Sequence, residues 1–164
     1  MSYGKPVDIF SDEFDRISKM LDGFCIAEII EIRMDPTDFV TRVSTIKKPV
    51  IKEMFHGTKS TYVESILKNG LNASFNRVSA YGKGTYFSPF AKTSLYGYTD
   101  RCKEDDLSYV FLCDIIVNDT KGNKSNIYVC PRDDSFRIKY LIRFFKIPTA
   151  TTARKPSTKR KKKK

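Results

Sequence analysis

Apolar positions change period several times along the first half of the chain. From Ser11 onward, Phe14, Ile17 and Leu21 fall on one side of a 3.6-residue period, with Ser11 as cap, Asp12 and Glu13 in the first turn and Gly23 as stop, which predicts a helix. Phe24 to Arg33 (FCIAEIIEIR) is rich in β-branched residues and predicts a strand. Asp35-Pro36 turns the chain into a second amphipathic helix, with Phe39, Val40, Val43 and Ile46 expected inward and Pro49 beyond its end. Val50-Ile51 to Met54-Phe55 is an apolar, strand-like run that ends on His56-Gly57. Thr61 and Glu64 have the spacing of a T-x-x-E capping box, and Val63, Ile66 and Leu67 form the apolar face of a short helix closed by Asn69-Gly70. A polar loop, Asn72 to Ala80, follows.

In the second half the period is mostly two. Tyr81-Gly-Lys-Gly-Thr-Tyr-Phe sets two glycines just ahead of a β-type run, where a missing Cβ lets a ligand or another backbone approach. Ser88-Pro89 reads as the cap and first residue of a short helix over Ala91 to Tyr98. Tyr109 to Val117 (YVFLCDIIV) is almost continuously apolar and predicts a central strand, and Asn118 to Lys124 a hairpin-like turn. Ile127 to Cys130 is a brief strand stopped by Pro131, and Phe136 to Phe144 alternates Phe, Ile, Tyr, Ile, Phe against Arg, Lys, Leu, Arg. Connections after His56 are mostly too short for crossover helices, so the expected class is α+β: two mainly antiparallel sheets flanked by short helices, not a doubly wound parallel sheet.

Composition adds constraints. One hundred and sixty-four residues with 40% hydrophobic content suit one domain with a substantial core. Eight of the eleven net positive charges sit in the last eleven residues, Arg154 to Lys164, which leaves the remainder at +3. Residues 1–10 are expected to form a loose arm, 11–147 the folded domain, and 148–164 a disordered basic tail that could contact nucleic acid or direct nuclear entry. Cys25, Cys102, Cys113 and Cys130 form no C-x-x-C pair and the chain has one histidine, so no metal site is expected. With neither a secretory signal nor a membrane-length apolar run, the expectation is a soluble protein of a reducing compartment, nuclear and/or cytoplasmic, with no membrane partner, and a monomer.

Candidate chemistry gathers in two runs, Phe55-His56-Gly57-Thr58 and Tyr81-Gly82-Lys83-Gly84-Thr85-Tyr86-Phe87-Ser88. The glycine run matches neither G-x-G-x-x-G nor G-x-x-x-x-G-K-[ST], so it is not a phosphate loop of those kinds. F-H-G-T, a helix ending in N-G-L, then Y-G-K-G-T-Y-F-S and a serine eight residues after the tyrosine, Ser94, together resemble the catalytic domain of the poly(ADP-ribose) polymerase family. Order, spacing and residue type all agree, and the resemblance extends more weakly over about Ile9 to Ile147.

The resemblance implies the fold of diphtheria-toxin-type ADP-ribosyltransferases and NAD⁺ as substrate, with no metal. It implies that the Gly57 backbone pairs with the nicotinamide carboxamide, that Ser94 adds a third bond, and that His56 bonds the adenosine ribose. Tyr86 would line the nicotinamide pocket, with Thr58, Tyr81, Gly82 and Gly84 beside the dinucleotide, and either Tyr96 or Tyr98 stacking on the ring. The family's third catalytic position, commonly glutamate in polymerising members, falls on Ile127 when counted back without a gap from Lys139-Tyr-Leu-Ile142. His56, Tyr86 and Ile127 would therefore form a His-Tyr-Ile set. That implies single ADP-ribose transfer to protein acceptors, the chain itself included, or to nucleic-acid ends. The alternative is an NAD⁺-site binding module with little turnover. Asp119, Asp133 and Asp134 are the acids to consider if the ungapped count is wrong.

Overall fold

In the computed structural model the described residues are 3–71, 82–92, 98–121 and 126–145. Strands β1 (Gly4–Pro6), β2 (Cys25–Ile32), β3 (Ile51–Thr58), β5 (Ser108–Ile116) and β7 (Phe136–Phe145) make one sheet in the order β1-β2-β7-β5-β3. Strands β4 (Thr85–Phe87) and β6 (Tyr128–Cys130) make a second, smaller sheet. Every strand pairing within these sheets is antiparallel. Helices α1 (Asp12–Met20), α2 (Thr37–Thr45) and α3 (Val63–Asn69) are short, so the α+β expectation holds.

Strand β5 is paired on both edges and covered on both faces, which is why its sequence is apolar at nearly every position. On one face Phe111, Cys113 and Ile115 join Met54, Ile138, Phe87, Phe136 and α3 residues Val63 and Ile66. On the other, Val110 and Leu112 join Phe55, Ile142, Phe144, Ala91 and α1 residues Ile17 and Leu21. Strand β7 keeps its predicted alternation at Arg137, Lys139 and Arg143, and Leu141 is buried because this strand too is covered on both sides. The α1 cap forms as predicted: the Ser11 hydroxyl accepts from the Phe14 N–H at 3.1 Å.

Several local expectations are corrected. Residues 1–10 are not all a loose arm, because Gly4–Pro6 pairs with β2. Glycine is required there: a Cβ at Gly4 would lie 2.0 Å from the Glu31 carbonyl oxygen. A proline is tolerated at a sheet edge, where its missing N–H costs no ladder bond. On α2, Phe39 is buried but Val40 is 55% exposed, so the inward face is narrower than predicted. The T-x-x-E box does not cap α3. Thr61 lies in a 3₁₀ turn, Ser60–Tyr62, and α3 begins after Tyr62 without a side-chain cap. The Ser60 N–H instead donates to Asp100 Oδ1 at 2.7 Å. The Gly70 stop holds, with φ of 75° and its N–H bonded to the Ile66 carbonyl at 2.7 Å. Of the predicted helix after Ser88-Pro89, Ala91, Lys92 and Tyr98 are helical and 93–97 lie outside the described residues. Of the predicted turn, Val117–Asp119 is a 3₁₀ turn and 122–125 lie outside.

Candidate active site

Among the described residues, one main-chain bridge joins the two sheets. The Phe55 N–H donates to the Ser88 carbonyl at 2.7 Å and the Ser88 N–H to the Phe55 carbonyl at 3.0 Å, directly after β4. An antiparallel strand turns its main-chain groups alternately to its two sides, so Phe55, bonded to Ser88, directs neither group toward β5. The β3–β5 register runs without a shift from Ile51 opposite Ile116 to Thr58 opposite Tyr109. Alternation therefore carries the same orientation to Gly57, whose N–H and C=O both point off the sheet edge. Among the described residues no further main-chain pairing joins β3 to β4 beyond the Phe55–Ser88 bridge, and a cleft opens there.

Among the described residues, His56 and Gly57 of β3, Tyr86 and Phe87 of β4, Ser88, Tyr98 and Ile127 line that solvent-open cleft. Gly57 offers it a donor and an acceptor side by side, the complement of a primary carboxamide, which has one carbonyl and one NH₂. His56 Nδ1 lies 2.7 Å from the Tyr86 carbonyl oxygen. A carbonyl can only accept, so Nδ1 carries the proton, and in the neutral ring Nε2 is an acceptor for a hydroxyl. The imidazole packs on the Phe87 ring, with centroids 5.5 Å apart, and Phe87 packs in turn on Phe136 at 5.0 Å. Burial pushes the His56 pKa below its usual value against the opposing pull of the Tyr86 carbonyl. The imidazole is thus neutral at neutral pH.

Sequence reasoning placed His56, Gly57, Tyr86, Tyr98 and Ile127 at the site, and the fold brings these five to one cleft. Thr58, Gly82 and Gly84 are not among its lining residues. Thr58 is buried. Gly82, at φ of 95°, accepts a hydrogen bond from the Tyr86 hydroxyl and so holds that side chain. Gly84 serves the small sheet: a Cβ there would lie 2.6 Å from Val129 Cγ1 and 2.7 Å from the Cys130 carbonyl oxygen. Its glycine admits a neighbouring backbone. Tyr81, Ser94 and Tyr96 lie outside the described residues. Sequence reasoning missed Phe87 and Ser88, although both directly follow Tyr86 in the singled-out run.

None of the described lining residues carries a carboxylate. The acids held as alternatives to Ile127 lie elsewhere. Asp119 is gripped by the Arg42 guanidinium at 2.7 and 2.8 Å and accepts from the Ser135 hydroxyl at 2.7 Å. Asp134 pairs with Arg132 at 2.8 Å, and Asp133 borders a groove shared with Asp38 and Asn69. Among the described residues no group of three or more His, Cys, Asp or Glu side chains is gathered to hold a metal ion.

The family model for the poly(ADP-ribose) polymerase catalytic domain matches residues 11–124. The chain belongs to this family. Its two antiparallel sheets and short helices are consistent with the ADP-ribosyltransferase fold, and members use NAD⁺ as substrate. Members of the family catalyse ADP-ribose transfer, and His56, Gly57 and Tyr86 lie within the matched span whereas Ile127 lies just beyond it.

Proposed function

We propose that this chain is a mono-ADP-ribosyltransferase, moving single ADP-ribose units from NAD⁺ to protein acceptors, itself included, or to nucleic-acid ends. The observation that carries this reading is the composition of the cleft: Gly57, His56 and Tyr86 converge there, and Ile127 stands beside them with no carboxylate among the described lining residues.

In the reaction, the bond between the ribose C1′ and the nicotinamide nitrogen breaks, the bonding pair leaves with neutral nicotinamide, and positive charge builds on the ribose. The acceptor's lone pair then forms the new bond to C1′, and the acceptor's proton passes to solvent or to an acceptor carboxylate. Gly57 holds the leaving carboxamide through its N–H and C=O, fixing the ring while one ribose face stays open. Neutral His56 accepts a ribose hydroxyl at Nε2, and Tyr98, 51% exposed, offers its ring to the nicotinamide. A positioned carboxylate that draws the proton from an acceptor hydroxyl contributes on the order of 10²–10⁴ in rate. Isoleucine at 127 supplies none, which favours single transfer over chain growth. The same substitution favours a second reading, a binding module that holds NAD⁺ with little turnover. Either would act inside the cell, as a monomer in nucleus or cytoplasm, with residues 154–164 as a route to nucleic acid.

The test is product length. Wild type incubated with NAD⁺ should yield single additions, and Ile127→Glu should lengthen the product or raise the rate. Polymeric product from wild type would overturn single transfer, and an unchanged Ile127→Glu variant would show that Ile127 does not face the ribose.

A further inference from the structure

The outer edge of β3 is only partly used, and two fixed points set its orientation. The Val50 carbonyl accepts from the Val117 N–H at 2.8 Å and the Val50 N–H donates to Asn118 Oδ1 at 2.6 Å, so Val50 faces the β5 side. Phe55 faces the opposite way, to Ser88. Alternation between these points turns the N–H and C=O of Ile51 and Glu53 off the sheet, and among the described residues no main-chain partner meets them. After Ser88 the chain leaves this edge, and Ala91 joins Phe55 and Ile17 in the core on the α1 face.

The same end of the sheet carries positive charge without a counterion. Lys47, Lys48 and Lys52 are exposed beside Val50 and Ile51, themselves 44% and 43% exposed, and among the described residues none of the three is ion-paired. The carboxylates of neighbouring elements are already taken: Glu53 by Arg16 and Lys139, Asp114 by Arg137 and Lys139, and Asp119 by Arg42. A phosphate backbone would satisfy the lysines but, having no donors, would leave the outward carbonyls of Ile51 and Glu53 unmatched. A second copy of the chain, paired through both residues, would set Lys52 opposite Lys52, which is repulsive. An acidic strand matches the donors, the acceptors and the charge together.

We propose that the edge of β3 at Ile51 and Glu53 is a docking surface for an acidic, extended segment of a partner protein, which adds to the sheet as a strand with its carboxylates against Lys47, Lys48 and Lys52. In antiparallel pairing Ile51 and Glu53 each exchange two main-chain bonds with the segment. The partner residue between those two stands opposite Lys52, where cross-strand side chains come closest, and that is the position for an acid. Six strand residues separate Ile51 from Gly57, about 20 Å, so a docked acceptor protein is tethered beside the cleft. That consequence rests on the transferase reading, whereas the docking itself does not.

The probe is a blocked, fluorescein-labelled peptide of alternating valine and glutamate, Val-Glu-Val-Glu-Val-Glu-Val, titrated with the full chain and followed by anisotropy. Two further peptides carry N-methyl groups, one on the valines and one on the glutamates. Alternation sends one set of N–H groups to β3 and the other to solvent. With glutamate beside Lys52, methylating the valines should weaken binding about tenfold or more, and methylating the glutamates should change it less than about twofold. Ile51→Pro removes one outward N–H that no bond within the sheet uses, and should weaken binding of the plain peptide roughly threefold to tenfold. Equal affinity for the two methylated peptides would overturn the proposal, because it would show attraction by charge alone, which residues 154–164 supply without any register. Failure of the wild type to bind the plain peptide would overturn it as well. An oligonucleotide of equal charge that binds in place of the peptide, and is lost when Lys47, Lys48 and Lys52 are all changed to Glu, would assign the patch to nucleic acid instead. If Ile51→Pro fails to fold, the methylated peptides decide the question on the wild-type chain. NAD⁺ binding by the wild type stands or falls separately from all of these outcomes.

Discussion

At the level of single residues, the histidine is the most constrained group in the cleft. With its Nδ1 proton committed to the Tyr86 carbonyl, His56 can serve a ribose hydroxyl only while Nε2 keeps its lone pair. Burial lowers its pKa, and this has a definite sign. The unfolded chain takes up the proton near the ordinary histidine value, about 6.5, and the folded chain does so only at lower pH. Between those values the unfolded state binds more protons, so the histidine's contribution is complete above about pH 6.5 and is lost as the pH falls through the folded value. Thermal unfolding from pH 8 to 5 should therefore show a steeper acid-side loss in wild type than in His56→Gln, and equal slopes would contradict a half-buried, neutral imidazole. Glu13 titrates in a lower window. Hydrogen bonds from Arg16 and then Tyr140 hold its carboxyl down at about 2, so its contribution is lost only as the pH drops below the ordinary carboxylate range.

At the level of elements, the cleft exists because β4 is held in place by β6 and, among the described residues, its main chain is joined to β3 only by the Phe55–Ser88 bridge at its end. Gly84 is where this arrangement is most vulnerable. Gly84→Ala would drive a Cβ into Val129 and Cys130, with a destabilisation of about 1–3 kcal/mol. Nicotinamide affinity should fall along with the melting temperature, because displacing β4 moves Tyr86 and Ser88 together. A variant with wild-type stability would show that the close approach is relieved by backbone movement. Truncating Phe55, fully buried under α1 and Ala91, should cost about 3–5 kcal/mol in denaturant unfolding.

These elements also show what a sequence can disclose. Strands β5 and β7 were legible because interior strands bury both faces and leave long apolar or alternating runs. β1 was not, because its glycine and proline read as breaks until the close approach of the Glu31 carbonyl is seen. The capping box failed because Thr61 entered a 3₁₀ turn tied to Asp100, a contact 40 residues away that no local pattern encodes. In the site, His56, Gly57 and Tyr86 were legible because motif order and spacing signalled them. Gly84 packs against β6, and a glycine that admits a strand and one that admits a ligand look alike in sequence. Ser88 was passed over because a serine before proline reads as an ordinary helix cap.

For the whole molecule, charge and chemistry are separable. The last eleven residues carry a net charge of +8 and the rest only +3. Removing residues 154–164 should weaken nucleic-acid binding and flatten its salt dependence while leaving NAD⁺ consumption nearly unchanged. Equal loss of both would place the tail in the active site. The first measurement to make is the intact mass of the purified protein after incubation with NAD⁺, beside a Tyr86→Ala control. Discrete additions of single ADP-ribose units on wild type, with at least a tenfold loss in the control, are the predicted result. Chains of ADP-ribose, or equal labelling of both proteins, would contradict it.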